Sequence, residues 1–159
     1  SEALLALAAF GVREPGRWGW FERPPDAALG AAQELLVRLG AVDRDGVITE
    51  TGRAMLRFPV HPRLARLVVE GERRGVGAEA ATLAALLSER DVRQDARVSF
   101  AAGGAGRESA DLLELLDAFE QVRAARFSAD AARRLGLDGR AVDAVERARR
   151  QLARGVVST

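Results

Sequence analysis

Several residue types are missing from this chain, and each absence excludes a class of functional site. The 159 residues include no lysine, cysteine, tyrosine or asparagine, so all 24 basic residues are arginine. Without cysteine there can be neither a disulfide bond nor a thiolate metal ligand. Without lysine there can be no P-loop, because that motif needs a lysine to reach the terminal phosphates of a nucleotide. Covalent catalysis by a cysteine or a lysine is excluded for the same reason.

The only histidine, His61, limits the remaining kinds of catalytic and metal site. A Ser-His-acid triad would have to use this residue, and a zinc site would need further histidine or cysteine ligands. His61 stands between Val60 and Pro62 at a predicted helix start, where capping or packing is its ordinary role. We therefore expect no catalytic residue, no metal site and no cofactor-binding residue in this chain.

Aromatic residues and long apolar runs are also scarce. Aromatics make up 5 % of the chain while hydrophobic residues make up 48 %, which favours packed helices over a β-sandwich. The longest apolar runs fall well short of the roughly 18–20 residues that span a bilayer. No signal peptide is recognisable, so we expect a cytoplasmic protein without a membrane partner. The missing initiator methionine favours a segment of a longer polypeptide.

The charge of the chain is nearly balanced, but its distribution is uneven. The net charge of +1 provides no overall field to attract nucleic acid. Residues 128–159 carry seven arginines against four acidic residues, whereas residues 1–127 carry 17 against 19. The basic excess therefore lies at the C-terminal end.

Residues 1–59 are predicted to form a small winged helix. Apolar residues recur at helical spacing from Leu29 to Leu39, and Gly40 follows as a helix end. The Asp-Gly pair at residues 45–46 lies between two short apolar pairs, which predicts a two-stranded hairpin with positive φ at Gly46. Thr49 is placed to cap a further short helix.

Residues 60–159 are predicted to form an antiparallel helical bundle, which makes the fold mainly α. A glycine-rich stretch near residues 98–107 predicts a flexible loop. Ser109, Ser128 and Asp138 are predicted to cap the three helices that follow it.

The last predicted helix carries a stripe of arginines. At 100° per residue, the side chains of Arg140, Arg147, Arg150 and Arg154 fall within an arc of about 80°. The apolar residues Val145, Ala148 and Leu152 lie roughly opposite and should face the bundle. Two interpretations stay open: a solvated face in an arginine-rich chain, or a surface that pairs with nucleic-acid phosphates.

The stretch LLVRLGAVDRDGVITETGRAMLRFPVHPRLARLVVEG resembles the helicase-associated region of DEAH/RHA-type RNA helicases. The resemblance rests on the D-G-x-I-T wing, the T-x-x-G-R turn and the F-P-x-x-P-R-L-A entry into the bundle. Upstream, WGWFERPPDAAL is similar to the passage that leaves the second motor domain in that family. Downstream, LAALLSERD is similar to the bacterial HrpB branch. The resemblance is densest over residues 20–91.

This resemblance implies an accessory region of an ATP-dependent RNA helicase. The winged helix and a ratchet-like bundle would sit against two RecA-like motor domains of the same polypeptide and help to close an RNA channel. ATP and magnesium would bind only in those motor domains. We expect RNA or single-stranded nucleic acid as the partner of a monomeric segment. Arg63 and Arg66, at the entry to the bundle, join the four arginines of the last helix as candidate nucleic-acid-binding residues.

Two other functions are compatible with parts of the sequence. A free-standing winged-helix regulator would place the helix of residues 26–39 in the major groove of DNA. That helix offers only Arg38 as a basic residue, with Gln33 and Glu34 as further polar groups, so it is poorly equipped to read bases. A protein-interaction scaffold, in which the winged helix docks an activator or the motor domains, is compatible with the nearly balanced charge.

Overall fold

The computed structural model describes residues 1–89 and 105–157, and its side chains are described for residues 1–89 and 111–157. The described residues form helices, as predicted for a mainly α chain. The helices are α1 (Glu2–Ala9), α2 (Asp26–Arg38), α3 (Glu50–Met55), α4 (Pro62–Arg73), α5 (Gly77–Ser88), α6 (Ala105–Ala124), α7 (Ala129–Arg134) and α8 (Gly139–Ala153), with a short 3₁₀ turn at Pro15–Arg17.

The chain divides into two compact units. The first contains Ser1–Gly77 together with the C-terminal residues from Gly155, and the second contains Ala78–Arg154. The predicted assignment of residues 1–59 to a winged helix and residues 60–159 to a bundle stays a prediction.

In the first unit, α2 packs against α1 and the 3₁₀ turn, while α3 packs against α4. The core of the unit is formed by apolar side chains from all four helices. Leu36, Met55 and Val68 are among those that are fully buried, and Phe58, between α3 and α4, adds its ring to the core.

The predicted two-stranded hairpin is not formed, although the turn itself is present. Within the residues described, Val42 and Ile48 make a single antiparallel bridge and no strand. Gly46 has the predicted positive φ, at 76°. The carboxylate of Asp43 accepts hydrogen bonds from the backbone nitrogens of Asp45 at 2.9 Å and Val47 at 2.8 Å. A ladder cannot extend because the chain enters α3 directly after this bridge.

The start of α3 is held by a close approach between two backbone segments. Thr49 Oγ1 accepts a hydrogen bond from the Gly52 nitrogen at 3.0 Å, which confirms the predicted cap. The Thr49 nitrogen donates to the carbonyl oxygen of Ala41 at 3.0 Å. A Cβ atom on Gly52 would lie 2.0 Å from that same oxygen and 2.8 Å from Cγ1 of Ile48. Only glycine allows this contact.

His61 caps α4 by accepting a hydrogen bond from the Arg63 nitrogen at 3.3 Å, so the predicted capping role of the histidine is confirmed.

The C-terminal residues return to α4 in the first unit. Glu72 on α4 accepts hydrogen bonds from Arg57 and from the Val157 nitrogen, the latter at 2.8 Å. A Cβ on Gly155 would lie 2.8 Å from the ring of Phe58, so these residues pack closely.

The second unit is built around α6, α7 and α8. The rings of Phe119 and Phe127 lie with centroids 6.2 Å apart, and Val145 and Leu152 of α8 are buried as predicted. Asp138 accepts from the Ala141 nitrogen at 2.9 Å, which confirms its predicted cap on α8. Ser128 occupies the N-cap position of α7 without a side-chain cap bond.

The predicted loop near residues 98–107 falls largely on residues 98–104, which lie outside the described residues. Helix α6 begins at Ala105, so the prediction that Ser109 caps this helix was wrong.

We predict that Gly52→Ala destabilises the protein by about 3 kcal/mol, because the added methyl group overlaps the Ala41 oxygen and α3 must shift. The matched control is Gly30→Ala in α2. A Cβ there has no atom within 4 Å, so alanine should stabilise the helix by about 0.4–1 kcal/mol. Chemical denaturation of both variants measures the difference. Equal stability of the two variants would contradict the close approach.

Candidate nucleic-acid interface

Helix α4 presents one charged face and one apolar face. Arg63, Arg66, Glu70 and Arg74 follow one another at intervals of three or four residues, at the start, middle and end of the helix. Such spacing places the side chains on one side of an α-helix. Val68 is buried on the opposite side, together with Ala65 and Val69. Burial of the apolar side orients the charged side towards solvent.

The charged face of α4 lines an open cleft with the end of α2. The cavity has a volume of about 630 Å³, and we call it the arginine cleft. Its lining combines four arginines, one glutamate and three uncharged residues. The lining residues are Arg38, Leu39, Gly40, Arg63, Arg66, Leu67, Glu70 and Arg74. All of them belong to the first unit.

Arg66 joins the two helices that form the arginine cleft. Its Nε donates to the carbonyl oxygen of Leu39 at 3.1 Å, and its Nη1 donates to Glu70 at 2.9 Å. Leu39 is the C-cap residue of α2, so this oxygen is one of the carbonyls left without a partner inside the helix. A cation at this end also offsets the negative end of the helix dipole.

Glu70 is the one carboxylate in the cleft, and it is held in its ionised form. It accepts hydrogen bonds from Arg66 and from Arg74, the latter at 2.8 Å. These bonds, with that from Arg66 the larger cause, lower the pKa of Glu70 from 4.5 to about 2. Four arginines against one carboxylate leave the lining with a formal charge of +3.

The arginines of α8 form the second candidate surface. Arg140, Arg147, Arg150 and Arg154 are all exposed, whereas Val145 and Leu152 are buried, as expected for opposite faces of one helix. Arg140, Arg147 and Arg154 make no ion pair within the described chain. Arg150 differs, since its Nε donates to Glu146 at 2.6 Å.

Glu146 determines which of these charges are already neutralised. Its side chain is almost buried and also binds Arg149, with Nε and Oε2 at 2.7 Å. The hydrogen bond from Arg149 is the main cause that lowers the pKa of Glu146, and the same bond raises the pKa of Arg149. Arg150 shares this carboxylate. The free positive charge of the stripe therefore lies on the other three arginines.

The six predicted residues fall into two sets. Arg63 and Arg66 lie together in the arginine cleft of the first unit, whereas the four arginines of α8 lie in the second unit. No observation tests their role, so binding of nucleic acid stays a prediction. Two further cations, Arg38 and Arg74, line the cleft with Arg63 and Arg66 and were not among the predicted residues. The spacing along α4 could have indicated Arg74, whereas Arg38 reaches the cleft only through the packing of α2.

Metal sites and membrane-spanning helices were the other kinds of functional feature to consider in the described residues. Within them, no group of three or more histidine or acidic residues is placed to hold a metal ion. None of the helices searched in that part of the chain is both long enough and apolar enough to cross a bilayer.

Comparison with known families gives a match to a segment within the first unit. Residues 32–60 match the family model described as "Helicase associated domain (HA2), winged-helix". The matched segment runs from α2 through the Asp43 turn and α3 to the residue before His61. Residues 32–60 are therefore similar to helicase-associated winged-helix domains. This segment includes Arg38 and the close approach of Gly52 to Ala41.

Two curated proteins show how far the similarity extends. "Probable ATP-dependent RNA helicase DHR2" from Saccharomyces cerevisiae is 29 % identical over 128 residues, which cover 74 % of this chain and 17 % of the relative. "Pre-mRNA-splicing factor ATP-dependent RNA helicase prp22" from Schizosaccharomyces pombe is 31 % identical over 88 residues, or 55 % of this chain and 8 % of the relative. The chain thus spans less than a fifth of either relative.

The paired state of Glu70 predicts a dependence of stability on acid. Because the pKa of Glu70 in the folded protein, about 2, lies below its ordinary value of 4.5, ionised Glu70 stabilises the fold above pH 4.5. This stabilisation is lost as the pH falls from about 4.5 towards 2. We predict that Glu70→Gln lowers the melting temperature at pH 7 and reduces its decline below pH 4.5.

The control for this measurement is Glu14→Gln. The Glu14–Arg17 pair has both side chains largely exposed, so water screens it strongly. Thermal melting of both variants from pH 7 to pH 2 should show a changed acid dependence only for the Glu70 variant. The same acid dependence in the parent and the Glu70 variant would contradict the assignment.

Proposed function

We propose that this chain is an accessory region of an ATP-dependent RNA helicase of the DEAH/RHA type, within the HrpB branch. It would help to form the nucleic-acid channel and dock on RecA-like motor domains that this chain does not include. One observation carries the proposal: the winged-helix match at residues 32–60 falls on the segment that builds the first unit. The alignment with a named RNA helicase over 74 % of the chain supports it. The similarity of LAALLSERD to HrpB proteins supports the narrower assignment.

In this function the chain supplies contacts and not chemistry. Its exposed arginines suit phosphates, because a guanidinium group donates two parallel hydrogen bonds to one phosphate. Such contacts position a strand without reading its sequence. ATP and magnesium would be handled by the motor domains. The segment would act as a monomeric part of a cytoplasmic protein.

Exposed apolar side chains in the first unit support docking on another protein surface. Phe10 is 85 % exposed, Phe21 is fully exposed, and Trp18 between them is about half exposed. All three side chains lie within residues 10–21, and exposed apolar patches are typical of an interaction surface. Docking on motor domains would cover them.

The structure does not favour a free-standing regulator that reads DNA with α2. Arg38 is the basic residue of that helix, and it lines the arginine cleft beside α4. A helix that reads the major groove would need its cations on the face that enters the groove.

The proposal is tested by the gene and by the protein that it encodes. We expect the reading frame that contains this chain to encode motor motifs upstream, and the whole polypeptide to hydrolyse ATP faster with RNA. The 159-residue chain alone should neither bind nor hydrolyse ATP, because it lacks the P-loop lysine. A frame without motor motifs, or hydrolysis by the chain alone, would overturn the proposal.

A second prediction concerns the α8 arginines. Replacing Arg147, Arg150 and Arg154 together with glutamine should weaken binding to single-stranded RNA. Each lost phosphate contact should lower the slope of log affinity against log salt concentration by about 0.7. Because Arg150 already shares Glu146, the double variant Arg147→Gln, Arg154→Gln should lose as much affinity as the triple variant. Binding isotherms at several salt concentrations measure the affinity and the salt slope of both variants. Unchanged affinity would mean that the arginine stripe is a solvated surface that does not contact RNA.

A further inference from the structure

We propose that the arginine cleft of the first unit binds the phosphodiester backbone of single-stranded nucleic acid through Arg38 and Arg63. This inference rests on the proposed function and names the ligand contacts of one surface. Arg66 and Arg74 are already paired with Glu70, and Arg38 and Arg63 supply the free hydrogen-bond donors.

The charge of the cleft is out of proportion to the charge of the chain. The lining carries a formal +3, while the whole protein carries +1. Excess charge of one sign in a concave surface raises the local concentration of oppositely charged ligands. The ligand of this cleft is therefore an anion.

The four arginines differ in how far they are already engaged. Arg66 binds the Leu39 carbonyl and Glu70, and Arg74 binds Glu70. Arg38 and Arg63 are exposed and have no ion-pair partner among the residues that the structure describes. Each retains a guanidinium group with five N–H donors. These two side chains come from different helices, so together they can hold one anion from two elements.

The cleft is built before any ligand arrives. Arg66 fixes α4 to the C-terminal end of α2 through its bond to the Leu39 oxygen. The end of a helix dipole would otherwise repel an anion at this position, and the Arg66 cation offsets it. A preformed site of this kind loses less conformational freedom on binding.

The shape of the cleft favours a phosphodiester chain over an enclosed small molecule. The cavity opens to solvent, and its apolar lining consists of Leu39 and Leu67. An extended backbone can pass through such a cleft while successive phosphates contact arginines. The tetrahedral phosphate accepts bidentate hydrogen bonds from guanidinium groups, and Arg38 and Arg63 each carry one.

The direct test is the double variant Arg38→Gln, Arg63→Gln in the 159-residue chain. Binding of a fluorescent oligouridine should weaken at least tenfold at low salt, and the salt slope should fall by about 1.4, or 0.7 for each contact. The matched control is Arg13→Gln, Arg53→Gln, since both of these arginines are exposed in the same unit and lie outside the cleft. The control should bind nearly as the parent does. Melting curves confirm that both variants are folded.

A second variant separates an electrostatic site from a merely structural one. Glu70→Gln removes the negative charge from the lining, so oligouridine should bind more tightly and with a steeper salt slope. A cleft that mattered only for folding would lose affinity in this variant as well, because Glu70 ties down Arg66 and Arg74. Opposite changes in the two variants support the proposal. The variant Arg38→Lys, Arg63→Lys should recover part of the affinity, since it keeps the charge without the bidentate geometry.

Three outcomes would overturn the inference. Equal binding of oligouridine by the unmutated chain and the double glutamine variant would show that the cleft does not contact RNA. That result would not contradict the proposed function. Failure of the unmutated 159-residue chain to bind oligouridine at low salt would also contradict RNA binding by the cleft. Binding of polyglutamate that depends on Arg38 and Arg63, with RNA binding unaffected, would assign the cleft to an acidic protein segment. The proposed function fails separately, by a reading frame without motor motifs.

Discussion

The close approach of Gly52 to the Ala41 carbonyl is the constraint on which the first unit depends. The Ala41 oxygen also accepts from the Thr49 nitrogen, so one carbonyl group fixes both the end of the turn and the start of α3. With α3 fixed, Met55 and Phe58 enter the core, and the chain reaches His61 in position to cap α4. This contact thus helps to position α4, whose charged face lines the arginine cleft.

The two units use the same electrostatic device. Glu70 in the first unit and Glu146 in the second each bind two arginines of their own helix, and in each case these bonds lower the pKa of the carboxyl group. Such pairs lie three or four residues apart, where side chains on a helix meet. In a chain whose cations are all arginine, local pairs of this kind decide which charges are left for a ligand. The arginine content alone does not show which positive charges remain available.

Features that depend on a few neighbouring residues could be predicted from the sequence. The caps by Thr49 and Asp138 and the positive φ of Gly46 belong to this class, because turn and cap chemistry is local. Features that depend on tertiary packing could not. The hairpin ladder fails because α3 begins directly after the bridge. Arg38 joins the cleft only through the Arg66 contact to α2. In α5, Leu87 is exposed while the smaller side chains of Ala80, Ala81, Ala84 and Ala85 are buried, so side-chain size did not indicate the packed face.

The return of residues 155–157 to the first unit sets an order for biosynthesis. A ribosome releases the chain from its N-terminus, so Ala78–Arg154 emerges in full before the residues that complete the first unit. The hydrogen bond from Val157 to Glu72 can form only after both residues have emerged, and it closes a loop of 85 positions along the chain. Until then the ring of Phe58 lacks its contact with Gly155. Of the two units, the one whose synthesis starts first is therefore the later one to have all of its described residues available.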